Sequence, residues 1–339
     1  MTDVLLALAV ALGLGYAFAA GVQDASNAVA TAVATRSLTP SSATRWAAVM
    51  VLVGALASWW LHPYLSDQSG LGVATTPGGP PGLAVLVVVL ACTAGWLALM
   101  ARQGLPVSTT HTLIGALVGA AVTTGAQVRW DLLATRVLAP MLLCAVVALV
   151  VAHVGTRIGR RLAMATDADR VEPAARVLLS AASTASAMFI GLLGSTKAIL
   201  VLTLALTLAG RTTDGDTPFW VVLTAAVALA AGTAVGGRRI IATLGDLMVG
   251  HDVGRGAFLQ TAAVTTFGVV ALSPGLPVST THTVGSAVIG SGLVTPGRMR
   301  WVTARRVLVA WLVTLPVVAV VAGLLAGIAH DVVAALPNG

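Results

Sequence analysis

Long apolar runs separated by short polar stretches set the pattern of this chain. Val4 to Ala20, Trp46 to Leu61, Gly82 to Met100, Val137 to Val154, Phe219 to Val235 and Val307 to Ile328 each reach or approach the roughly 20 residues with which a helix crosses about 30 Å of hydrocarbon. The pattern predicts an all-α integral membrane protein of about 10–12 transmembrane or half-membrane helices.

Composition strengthens this. Hydrophobic residues make up 57% of 339 positions and charged residues only 9%, far below the roughly 25% charged content of soluble domains. A water-soluble fold could not cover so much apolar surface. The net charge of +7 would suit a nucleic-acid partner if the basic residues formed a dense patch with interleaved aromatics. They lie between apolar runs instead, so no nucleic acid is expected, the bilayer is the partner, and the charges read as topology. No basic stretch precedes the first run and small residues after it lead into a polar motif, so a cleaved signal peptide is not expected. Cys92 and Cys144 lie inside apolar runs without ligand-like spacing and read as packing residues.

One motif occurs twice. GLPVSTTHT spans Gly104 to Thr112 and again Gly275 to Thr283, an offset of 171, and Gly119 and Gly290 keep the same spacing downstream. A weaker echo at an offset of 170 pairs Gly21–Asn27 (GVQDASN) with Gly191–Lys197 (GLLGSTK). With the N-terminus outside and an odd number of crossings per half, the cytoplasmic side receives Arg36, Arg45, Arg157, Arg160, Arg161, Arg170, Arg176, Arg238, Arg239, Arg255, Arg298, Arg300, Arg305 and Arg306, fourteen of nineteen basic residues, as the positive-inside rule asks. Arg102, Arg129, Arg136 and Arg211 fall outside or at depth, and Lys197 within a span. Odd parity turns the second half upside down. Two inverted-topology repeats, 1–166 and 167–339, therefore form a single membrane domain, joined by a central cytoplasmic loop at about 156–176 whose polar core is Arg157 to Arg176. Repeats of this kind place a site at the midplane of secondary transporters. Thr75 to Gly82 and Gly210 to Thr217 read as extracellular connections. The sequence leaves a homodimer open.

Three groups of residues could carry chemistry. In GLPVSTTHT the Gly, Leu and Pro interrupt a helix and Ser108, Thr109 and Thr110, or Ser279, Thr280 and Thr281, open the next one. Such a start offers unpaired N–H groups, hydroxyls and the positive end of a helix dipole, suited to a tetrahedral oxyanion. Simple capping by the serines and back-bonding by the threonines is the structural alternative. His111 and His282 share a helix face with their serines and could bond substrate, relay a proton or bond a neighbouring helix. Asp24 lies between apolar runs, where a carboxylate costs about 2.5–3.5 kcal/mol to insert. With Gln23, Ser26 and Asn27 it forms an oxygen-rich group fit for Na⁺ or for a carboxyl that takes up and releases a proton; a cap at the membrane surface is the alternative. Lys197, the only lysine, is either a snorkelling surface group or a fixed positive charge facing an anion, with Thr196 beside it. The offset aligns Asp24 with Gly194 and Asn27 with Lys197, so one half keeps an acid and the other a base, and Asp24 and Lys197 are expected to approach each other across the pseudo-two-fold.

At these residues the chain resembles the inorganic phosphate transporter (PiT) family, in its short bacterial form. GVQDASNAVATAVATRSLTP, Gly21 to Pro40, resembles the first-half signature; the two GLPVSTTHT copies resemble the paired hairpin motif; GGRRIIATLGDLMVGHDVGRGAF, Gly236 to Phe258, resembles the stretch before the second hairpin. The resemblance implies paired helical hairpins around the anion and symport of phosphate, free or as metal phosphate, driven by H⁺ or Na⁺ without another cofactor. It implicates Asp24 and Asn27, Ser108, Thr109 and Thr110, and Ser279, Thr280 and Thr281. Gln23 stands where the family has Asn. The second-half signature, roughly HGxNDxQK, is replaced by Ile190, Gly191, Leu193, Gly194, Thr196 and Lys197, without its His, Asn and Asp. These residues do not specify a metal to accompany the anion.

The expected function is a cation-coupled phosphate transporter of the cytoplasmic inner membrane, not an enzyme. The resemblance leaves sulfate as the alternative anion; a protonated phosphate can donate to Asp24, whereas sulfate offers no such donor. A passive anion channel or degenerate partner subunit is a further alternative. A hydrolase using Ser108 or Ser279 lacks an oxyanion-hole glycine pattern and an acid to orient the histidine, and no nucleotide motif supports ATP drive.

Overall fold

The computed structural model describes residues 1–65, 71–165, 168–213, 216–247, 252–271, 279–294 and 299–336. Twelve α-helices are named among them: α1 (Thr2–Ala34), α2 (Pro40–Leu65), α3 (Gly79–Gln103), α4 (Thr109–Thr123), α5 (Trp130–Leu132), α6 (Ala139–Ala165), α7 (Ala168–Leu208), α8 (Phe219–Val235), α9 (Arg238–Leu247), α10 (Val253–Ala271), α11 (Thr280–Gly292) and α12 (Trp301–Ala335). A π-helical turn, Leu133–Leu138, joins α5 to α6; Pro140 follows it and has no N–H to give to the carbonyl four residues back.

Among the described residues six helices are long and apolar enough to cross a membrane: α1, α2, α3, the Trp130–Arg161 stretch, Glu172–Leu208 and α12. A seventh crossing is made if α8 and α9, bent by 62° at Gly236–Gly237, act as one broken span. Five of the six apolar runs read from sequence fall in the long helices, and Phe219 to Val235 is α8 itself. The span within α7 went unread because Ser180, Ser183, Ser186, Ser195, Thr196 and Lys197 interrupt its apolar run. The polar stretch read as the central loop is helical on both sides: α6 continues to Ala165 and α7 starts at Ala168, since Arg, Leu, Ala and Met favour helix whether or not lipid surrounds them. Thr166 and Asp167, at the expected division, lie outside the described residues.

The molecule is apolar outside and polar within. Leu312 and Trp60 are 77% exposed, whereas Asp24, Asn27, Lys197 and Gln260 are at most 6% exposed. In lipid this distribution hides the groups that hydrocarbon cannot solvate.

Elements distant in sequence pack in pairs: α4 on α12, α6 on α11, α1 on α8 and α2 on α7. The close approaches recur at corresponding glycines of the two halves. A methyl on Gly119 would lie 1.9 Å from the Ala319 carbonyl, and one on Gly290 would lie 2.1 Å from that of Leu149. Gly21 meets Leu229 and Thr233 as Gly191 meets Val51 and Ala55, each at 2.1 Å from the nearest carbonyl oxygen. Backbones approach this closely only where no side chain intervenes.

The segments flanking the α3–α4 hairpin are tied together. Thr75 N–H donates to Gln127 O (3.0 Å) and Arg129 N–H to Val73 O (2.9 Å), so both arms begin and end on one side. At the other end the Arg239 guanidinium donates to the Arg102 carbonyl. Arg102 thus stands beside Arg238 and Arg239, which excludes the outer position of the two that the count of arginines left open for it, outside or at depth, because α3 runs on to Gln103 before the chain turns.

Candidate functional site

The turn between α3 and α4 begins at Gly104, whose left-handed φ of 71° lets it cap α3. Gly104 to Ser108 then runs without helical hydrogen bonding, and the polar backbone of such a stretch needs partners when water is absent. Three other elements supply them. Val107 N–H donates to Gln23 Oε1 (3.4 Å), Thr281 Oγ1 donates to Val107 O (3.2 Å) and Trp311 Nε1 donates to Pro106 O (2.8 Å). Gln23 also donates to Leu97 O (3.0 Å), so its amide pins the hairpin to α1. In the second copy of the motif Gly275, Leu276, Pro277 and Val278 lie outside the described residues.

Ser108 and Ser279 cap α4 and α11, accepting from the backbone N–H of His111 (3.1 Å) and His282 (3.3 Å). The capping alternative weighed from sequence is therefore realised, yet the serines also meet: Ser279 Oγ donates to Ser108 Oγ at 3.0 Å. Behind them the rings of His111 and His282 stack edge-on with centroids 4.6 Å apart, and Trp311 covers His282 at 4.4 Å. Ser108 Oγ is engaged by a backbone N–H, not by an imidazole, so no Ser–His pair is formed. His111 Nδ1 and His282 Nε2 are buried without a hydrogen-bond partner among the described residues.

Asp24 sits 2% exposed beside this junction. Its Oδ1 accepts from Thr280 Oγ1 (2.8 Å) and from Asn27 Nδ2 (3.0 Å). The same amide lies 3.4 Å from Thr280 Oγ1 and 3.2 Å from Thr281 Oγ1, while Asn27 Oδ1 is buried and unpartnered. Asp24 is thus deep in the protein and does not cap a helix, since α1 continues to Ala34. Asp24, Asn27, Thr280 and Thr281 form one group; Thr109 and Thr110 are buried at the start of α4.

Lys197 is 6% exposed and does not snorkel. Its Nζ donates to Leu193 O at 3.1 Å. It stands within electrostatic range of Asp24 but makes no ion pair with it within 4.0 Å. Thr196 bonds back to Leu192 O (2.9 Å), so its hydroxyl donor is engaged in its own helix.

Two side chains join the site that sequence reasoning passed over. Gln260 of α10 is fully buried; it donates to Asn27 O (3.2 Å) and Ser186 Oγ (2.8 Å) and accepts from Thr31 Oγ1 (3.0 Å). A lone amide in an apolar helix was its signal. Trp311, between the hairpin turn and His282, gave none within an aromatic-bearing span. Above Val22, one residue from Gln23, an open cavity of about 770 Å³ is lined by Arg102, Arg238, Arg239 and the Gly236–Gly237 break.

A buried polar centre at a broken helical hairpin, with helix starts from two copies of one motif facing each other inside an apolar shell, defines a multi-pass membrane transporter. The chain belongs to the phosphate transporter family, matched over residues 20–322, a family of membrane transporters and not of enzymes. Among its relatives is the probable low-affinity inorganic phosphate transporter of Mycobacterium bovis, 34% identical over 336 residues covering 96% of this chain and 78% of that one. Proteins of the same description from Rhizobium meliloti (32% identity, 93% of both chains) and Bacillus subtilis (29%, 93% of this chain and 95% of that one) are also similar. The fold matches a solved structure described as the sodium-dependent phosphate transporter, with a TM-score of 0.84 at 19% identity over 98% of this chain and 100% of that one. The protein is accordingly a multi-pass protein of the cytoplasmic membrane.

Proposed function

We propose that the protein carries inorganic phosphate across the cytoplasmic membrane by cation-coupled symport, with its two halves inverted about the Ser108–Ser279 contact. The observation that carries this is the bond from Thr280 to Asp24. It joins an oxygen-rich group suited to a cation to a hydroxyl-rich helix start suited to an oxyanion, so occupancy of one alters the other. That linkage is what symport requires.

In this reading Ser108, Thr109, Thr110, Ser279, Thr280 and Thr281 surround the anion and Lys197 supplies positive charge. Asp24 and Asn27 hold the coupling ion, the unpartnered Asn27 Oδ1 being a ready ligand, and Gln23 fixes the hairpin beside them. His111 and His282 support the helix starts from behind. The cavity lined by Arg102, Arg238 and Arg239 would gather anions at one mouth. Phosphate is favoured over sulfate by the names of the relatives and by Asp24, which can accept a hydrogen bond from a protonated phosphate.

The test is uptake of labelled phosphate by purified protein in liposomes under imposed proton or sodium gradients, with sulfate as competitor and with divalent metal added or chelated. Concentrative uptake that follows one gradient supports the proposal and identifies the ion, and dependence on added metal identifies metal phosphate as the cargo. Sulfate uptake alone, or equilibration without accumulation, overturns it in favour of a sulfate carrier or a channel.

A further inference from the structure

The two helix starts are equivalent in sequence, but the residues at corresponding positions of α1 and α7 are not. The 170-residue offset that aligns Gly21 with Gly191 aligns Asp24 with Gly194 and Asn27 with Lys197. Gly21 and Gly191, related by that offset, each press against the backbone of a neighbouring helix, α8 for Gly21 and α2 for Gly191, so the two stretches are packed alike as well as aligned in the sequence. At the first place a carboxylate and an amide oxygen converge. At the second there is no acid at all, and a buried ammonium takes the place of the amide.

Lys197 is poorly served where it stands. An ammonium has three N–H donors, and the structure gives Nζ one bond, to Leu193 O of its own helix. The nearby opposite charge is Asp24, which is itself occupied by Thr280 and Asn27. A buried positive charge with donors to spare disfavours a second cation and favours an anion.

We propose that Lys197 is a built-in replacement for a second coupling cation: the protein binds one mobile cation, at Asp24 and Asn27, and the Lys197 ammonium supplies the other positive charge to the anion permanently. The absence of a carboxylate at Gly194 is what holds the site in this state. The inference rests on the symport reading above and specifies its stoichiometry.

Position 194 allows a direct test. A β-carbon there would first meet the Leu229 side chain, at 3.4 and 3.7 Å, which is ordinary contact, so the backbone tolerates a side chain at Gly194, and the folding of Gly194→Asp is checked alongside its transport. The cation-to-phosphate ratio would be measured in proteoliposomes by finding the opposing phosphate gradient that stops net flux at a set cation gradient, using whichever ion drives the wild type. The wild type is expected to couple one cation per phosphate with a Hill coefficient near 1 for that cation. Lys197→Gln should raise the KM for phosphate at least about tenfold, while Lys197→Arg keeps it within about threefold. The double variant Gly194→Asp, Lys197→Gln should recover phosphate affinity and take up a second cation, its Hill coefficient rising above 1. A melting temperature in detergent and a size-exclusion profile close to those of the wild type would confirm that each variant is folded.

A wild-type ratio of two cations per phosphate overturns the inference while leaving symport standing. So does a Lys197→Gln variant with unchanged phosphate affinity, or a folded double variant that still couples a single cation. Absence of any gradient-driven phosphate uptake by the wild type removes the symport reading itself, and the inference with it.

Discussion

Ser279 Oγ donates to Ser108 Oγ at 3.0 Å, a contact between the same position of two copies of one motif. Such a meeting of equivalent positions is what the inverted arrangement of the halves proposed above would produce. His111 and His282, whose rings lie 4.6 Å apart, meet in the same way one helical turn further along. Each serine also caps its helix, so one hydroxyl pair both ends two helices and joins them.

Removing the pair should therefore be non-additive. Ser108→Ala and Ser279→Ala each delete a cap worth about 1 kcal/mol and leave the other hydroxyl without its partner. The double variant should be destabilised by less than the two single losses combined, as measured by thermal unfolding in detergent. Strict additivity would mean that the serines act as independent caps.

Asp24→Asn keeps the shape of the side chain and one oxygen to accept from Thr280, so the fold and the detergent melting temperature should change little. Gradient-driven phosphate accumulation in liposomes should fall by at least about tenfold, an effect of roughly 1.4 kcal/mol or more. Accumulation at wild-type levels would remove Asp24 from the coupling machinery.

Gly119→Ala should cost about 1–3 kcal/mol through forced displacement of packed backbone, because its methyl would lie 1.9 Å from Ala319 O. Gly290→Ala, facing Leu149, should behave alike. Gly15→Ala, with nothing within 4 Å, should be neutral or stabilising by up to about 1 kcal/mol. Melting temperatures of the three variants decide the matter, and equal values for Gly15→Ala and Gly119→Ala would contradict the observed packing.

Gln260→Leu removes an amide bonded to Asn27 O, Ser186 and Thr31. Leaving those groups unsatisfied in a dry interior should cost about 1–3 kcal/mol. Because Asn27 loses its backbone tether, the apparent affinity for the coupling ion should weaken before the maximal uptake rate does. A cation-dependence curve superimposable on that of the wild type would confine Gln260 to a packing role.

The sequence disclosed most of this arrangement where apolar length or exact repetition carried it. GLPVSTTHT, written twice, announced the facing helix starts, and Asp24 stood out as a charge no lipid would tolerate. What stayed hidden depends on distance in space. Nothing in the string tells that Thr280 reaches Asp24 across 256 positions, or that Trp311 closes the turn at Pro106. The span within α7 was obscured by the polar residues that make it useful, since hydropathy averages over the face of a helix that never meets lipid. Arg102 was left open between outside and at depth because a count of charges assigns loops to sides and cannot see how far a helix runs before it turns.

The turn from Gly104 to Ser108 finds partners for its backbone in Thr281 and Trp311, residues translated long after it. Until the second half is made, the Pro106 and Val107 carbonyls lack these two donors, and of the turn's partners only Gln23 of α1 is already present. The second half thus completes the hydrogen bonding of the first hairpin, and a chain cut before α11 would hold two carbonyls there that hydrocarbon cannot satisfy.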